Sequence, residues 1–148
     1  MTPKPAYTAL LRLMNALADP GPAFPLTFLD YSITTGATDG GPADGGGAGD
    51  GGIDPSVHSL LLEKRTGRFE LVVWLEEESY NPNSMPPAVI AVPPVTVVLD
   101  VKTSLSSATF GTIDDTGSLA PSALSLEAGK ASLTVTDHVS IVELVPAR

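Results

Sequence analysis

From Leu26 onward the chain is written in short apolar runs rich in β-branched residues, punctuated by proline, glycine, asparagine and aspartate. This feature limits the fold more than any other. A run that is too short for a helix and too apolar for a loop reads as a strand. The runs are LTFLDYSI (26–33), VHSLLLEK (57–64), FELVVWLEE (69–77), AVIAV (88–92), VTVVLDV (95–101), SATFGT (107–112), ALSLE (123–127), ASLTVT (131–136) and VSIVELV (139–145). Val95, Val97, Leu99 and Val101 alternate with Thr96, Val98, Asp100 and Lys102, and Leu133 and Val135 alternate with Ser132, Thr134 and Thr136. That is the period of half-buried antiparallel strands. Arg65-Thr66-Gly67-Arg68 reads as a hairpin turn, with Gly67 free to take positive φ. Asp114–Gly117 and Ala128–Lys130 read as further turns. The expected fold is all-β, an antiparallel sandwich of about eight strands.

FELVVWLEE is apolar on both faces, so it should be a central strand with Trp74 in the core. The expected core is Leu61, Phe69, Leu71, Val73, Trp74, Val97, Leu99, Leu133, Val135 and Val142.

One helix precedes the strands. Across residues 2–19, Tyr7, Leu10, Leu11, Met14, Leu17 and Ala18 fall at helical spacing. Thr2 can cap the start, Pro3 suits the first turn, and Asp19-Pro20-Gly21 ends the pattern. A lone helix this short is marginal in water, so its stripe is expected to bury against something.

Residues 1–148 are the size of one domain, helix at 2–19 and sandwich at 26–145. With no cysteine there is neither a disulfide framework nor a thiolate metal site. The net charge of −9 repels phosphate backbones and anionic lipid, which argues against nucleic-acid and membrane partners. No apolar run approaches the ~20 residues that span a bilayer. The first residues lack the pattern of a signal peptide.

The tract from Gly36 to Asp54, GATDGGPADGGGAGDGGID, sits between two strand runs, so residues 36–56 are expected to be a loop inserted within one fold. Asp39, Asp44, Asp50 and Asp54 are hard oxygen donors, the chemistry calcium would use. The repeat form of that chemistry is GGxGxDxUx, and GGAGD (46–50) places its aspartate one position early with no second copy. No glutamate completes an EF-hand pattern. The plain reading is an acidic loop, and no cofactor is expected.

Catalytic constellations are sparse. Glu76 and Glu78 share a strand face while Glu77 points away, the pattern of a solvated strand end. His58 and His138 are the only histidines, and no serine elbow accompanies them. Trp74 and Tyr80 are the aromatic candidates for carbohydrate contact, Tyr80 being the better placed for exposure.

HSLLLEKRTGRFELVVWLEEESY (58–80), followed by VPPVTVVLDV (92–101), resembles the C-terminal region of some secreted (β/α)8-barrel glycoside hydrolases. The motifs there are of the type LLxKxDGxFYLxLW and VPPxxVTLxL. TPKPAYTALLRLMNALADPG with LDYSI looks like a last barrel helix and first sandwich strand, and TDHVSIVELV (136–145) like the closing strand pair. The resemblance implies a small β-sandwich module without the barrel that carries the catalytic carboxylates. No residue here inherits a catalytic role. The implied function is an accessory module in protein–protein packing or weak carbohydrate contact. The alternative is a structural subunit of a virion or surface layer, self-assembling through the helix and the glycine-rich loop.

Overall fold

The computed structural model describes residues 5–35, 54–78, 80–86, 88–114 and 116–147. It holds one helix, α1 (Pro5–Leu17), and ten strands: β1 (Tyr31–Thr35), β2 (Val57–Glu63), β3 (Phe69–Leu75), β4 (Tyr80–Asn81), β5 (Ala88–Val89), β6 (Val95–Val101), β7 (Leu105–Thr112), β8 (Ser122–Ala123), β9 (Lys130–Val135) and β10 (Ser140–Pro146). Every pairing is antiparallel. One sheet runs β1-β6-β9, the other β2-β3-β10-β7-β8, and β4 and β5 form a separate two-stranded arm. Leu71, Val73, Val142 and Leu144 of the larger sheet meet Val97, Leu99, Leu133 and Val135 of the smaller in one core. This is the antiparallel sandwich that the alternation predicts.

The alternation is met residue by residue. On β9 the odd positions Ala131, Leu133 and Val135 are buried and the even ones exposed. On β3 every residue but Trp74 is buried, as a strand flanked on both sides and covered on both faces requires. Two expected core residues sit nearer the surface. Leu61 is half-buried because β2 is an edge strand, and Trp74 is half-buried because it faces out of the sandwich. Three runs are shorter or later than expected. Residues 26–30 run extended before β1 and hook onto β2, where Thr27 bonds the Glu63 carboxylate through its N–H and its hydroxyl, both at 2.7 Å. Only Ala88–Val89 of 88–92 is paired, since Pro93 and Pro94 cannot donate to a ladder. Around 123–127 the pairing is limited to Ser122–Ala123 and a single Glu127–Lys130 bridge, with Leu124 and Leu126 packed against the core as the chain crosses between sheets.

The helix is fastened differently from expectation. Leu10, Leu11 and Met14 are 55%, 45% and 61% exposed. Among the described side chains Thr8, Ala9, Leu13 and Leu17 are the half-buried ones, so Leu17 of the expected stripe faces inward and the rest of the contact is turned toward Ala9 and Leu13. Phe69, Leu71, Val73 and Leu75 of β3 point into the sandwich, so Glu70, Val72 and Trp74 point out of it. Val72 and, across the register, Ile141 are nonetheless buried. Helix α1 is tied down at two points. Near its start, Gly117 approaches so closely that an added Cβ would lie 2.6 Å from Ala9 Cα. Arg12 donates to the Thr116 carbonyl at 3.2 Å. At its end, the Ala16 and Ala18 carbonyls accept from Lys64 Nζ, each at 3.1 Å.

Candidate functional site

The end of α1 carries unsatisfied carbonyls and a partial negative charge, and no basic residue stands in its own last turn. The β2–β3 hairpin supplies the missing cation. Lys64, only 3% exposed, bridges the helix carbonyls to Glu70, 5% exposed, with Nζ 3.0 Å from Oε2. The register sets Glu70 beside Glu143. Arg68 answers both, 2.9 Å from Glu143 and 3.8 Å from Glu70. Arg65 continues the clasp. Its N–H donates to Asp19 at 2.8 Å, its guanidinium donates to the Pro22 carbonyl at 2.6 Å, and it sits 5.5 Å over the Phe24 ring. The hairpin thus holds the helix exit through Lys64 and Arg65. None of these roles was assigned from the sequence, where 65–68 reads only as a turn. The available signal is Glu70, a charge inside the otherwise apolar run FELVVWL, which must find a partner when buried.

The far end of α1 rests on the 114–118 turn. Asp114 Oδ1 accepts from the Thr116 N–H, the Thr116 hydroxyl and the Ser118 N–H. The Thr116 hydroxyl, first among these, holds the Asp114 carboxyl below the usual carboxylate value. Gly117 takes a φ of 76°, which lets the turn close against the helix.

Trp74, His58 and Glu76 come together on the outer face of β2 and β3. His58 stacks on the indole with ring centroids 5.6 Å apart, and its Nε2 lies 2.9 Å from Glu76. One face of Trp74 is therefore occupied by protein, which weakens it as a sugar platform. Tyr80 pairs through its backbone with Val89 on the arm, and its side chain is outside the described residues. His138 Nδ1 lies 3.0 Å from Asp137, its neighbour in the turn before β10.

Of the calcium candidates, Asp39, Asp44 and Asp50 lie outside the described residues. Asp54 Oδ1 accepts from the Ser56 N–H and hydroxyl, at 2.9 and 2.7 Å, and its N–H donates to Thr35. The Ser56 N–H lowers its pKa. Asp54 thus joins the end of β1 to the start of β2. Among the described residues no group of three or more His, Cys, Asp or Glu could hold a metal, and no helix is long and apolar enough to cross a membrane.

Two clefts remain. A groove of about 590 Å³ runs between 101–108 and 124–129. Its Ser106 hydroxyl donates to the Val145 carbonyl, and its Thr103 hydroxyl accepts from the Asp30 N–H. The other, about 310 Å³, opens at the base of the β4–β5 arm between Leu75, Glu77, Glu78 and 90–95. The chain matches no protein-family model and no curated protein.

Proposed function

We propose that this chain is a non-catalytic β-sandwich accessory module, similar in role to those that its sequence resembles, and that it packs against another protein through the outer face of α1. The observation that carries this reading is the exposure of Leu10, Leu11 and Met14 on a helix already held at Ala9 and Arg12 by the 114–118 turn and at its C-terminal carbonyls by Lys64. Apolar residues grouped on a fixed surface support an interface. The helix carries a single charged side chain, Arg12, in a chain of net charge −9. Such a surface has little charge to desolvate. A different protein suits it better than a second copy, because two copies of a chain of net charge −9 repel. Carbohydrate contact is secondary, since Trp74 is half-buried under His58.

The second reading is a structural subunit of a larger assembly such as a virion or surface layer. The edge of β9 favours it. The Val101 N–H bonds the Gly129 carbonyl, so Ala131, Leu133 and Val135 bond β6 while the backbone groups of Ser132 and Thr134 point away. That row is a template for another strand.

A photo-crosslinking residue placed at Leu11 or Met14, in cells that naturally express the chain, tests the first reading. A discrete adduct is expected at both positions and none at exposed Thr66. Equal labelling at Thr66, or no adduct at either helix position, would contradict it.

A further inference from the structure

We propose that the cleft at the base of the β4–β5 arm binds a cationic group on an aliphatic stem, the chemistry that an arginine or lysine side chain of a partner presents. The cleft has an apolar floor. Leu75, buried, lines it, and so do Val92 and Val95, which pack on the core and stay half-exposed. Ile90, 36% exposed, forms one wall. At about 310 Å³ it lies at the lower end of the range for small-ligand pockets.

Its charge is one-sided. Three carboxylates follow one another after β3, and Glu76 is paired with His58. Asp54, at the cleft wall, spends its Oδ1 on Ser56. Glu77 and Glu78 line the cleft and are exposed, and neither takes part in the ion pairs of the described residues. Two unneutralised carboxylates at the lip of an apolar slot complement a ligand that is aliphatic along its length and positive at its end. A purely apolar ligand leaves the carboxylates unanswered, and a bare cation leaves the floor wet. The Glu76 N–H donates to the Ser56 carbonyl at 2.8 Å, which ties the two walls together. This site is independent of the helix face, and either can fail without the other.

The test is an amide NMR titration of the full chain with hexylguanidinium, with hexanol and guanidinium as separate probes. Hexylguanidinium should shift the amides of Leu75, Ile90, Val92 and Val95, and bind at least about tenfold tighter than either control. The E77Q/E78Q double variant should lose about that tenfold while hexanol binding stays unchanged. Both side chains are exposed, so the fold survives, and unmoved β10 amides would verify this. Equal affinity for hexanol and hexylguanidinium, binding indifferent to the double substitution, or no shifts confined to the cleft would each overturn the proposal.

Discussion

Lys64 is the residue on which the helix's attachment turns. It is buried, and its ammonium reaches two helix carbonyls and the Glu70 carboxylate at once. Breaking a buried pair by removing one partner costs about 3–5 kcal/mol, mostly from the charge left behind. Arg68 stays 3.8 Å from Glu70 and softens the loss, so Lys64→Met should cost about 3 kcal/mol in chemical denaturation. Adding Glu70→Leu should recover most of it, because no orphan carboxylate then remains. Failure of the second substitution to rescue would place the cost in the helix cap instead. Gly117 is the counterpart at the other end. Gly117→Ala puts a Cβ against the Ala9 backbone at a φ of 76°, so it should cost about 1–3 kcal/mol and speed amide exchange along α1. Stability and exchange at wild-type values would show that this end of the helix is not held. The turn around Gly117 was legible from Asp114–Gly117. Its contact with α1 was not, since nothing local in a turn names the distant element that rests on it.

At the scale of elements, periodicity read the strands well and the helix face badly. Strands of the core carry a two-residue period enforced by burial on one side, visible in 95–101 and 131–135 alike. In α1 the apolar residues spread around more than half the helix, and of the expected stripe the larger Leu10, Leu11 and Met14 stay exposed while Leu17 is half-buried. The smaller Ala9 was favoured inside because the helix comes within backbone contact of Gly117, where a bulky side chain has no room. Turns fix where the elements end, and two of them depend on ionised aspartates, Asp54 and Asp114, while a third aspartate, Asp100, pairs with lysines at the end of β6. The Asp54, Asp100 and Asp114 carboxyls are each held below the ordinary value of 3.8. The leading causes are the Ser56 N–H, a hydrogen bond from Lys102 and the Thr116 hydroxyl respectively. A lowered folded pKa means that the unfolded chain binds the proton first. The associated stability is present above the unfolded value and is lost as pH falls through the lower folded values. The melting temperature should therefore drop as pH is taken below 3.8, and Asp114→Asn should flatten that drop. An unchanged acid profile in the variant would remove Asp114 from the account.

For the whole molecule, the sandwich and most of its core followed from strand alternation and turn residues, with Leu61 and Trp74 the residues set too deep. The candidate sites were far less legible. The clasp formed by Lys64, Arg65, Arg68 and Glu70 and the cleft beside Glu77 and Glu78 arise from segments far apart in the chain, and no local pattern announces such meetings. What the assembled molecule presents is an acidic sandwich with one fixed, nearly uncharged apolar helix face. The central claim is that this face serves a different protein and not a second copy. Its most direct test is the absolute mass of the purified chain by light scattering over a wide concentration range, with and without calcium. A constant mass of 15.2 kDa is the expected result. A mass that rises with concentration to a defined oligomer, and returns to the monomer on Leu11→Glu, would contradict the claim and make the helix face a contact between copies.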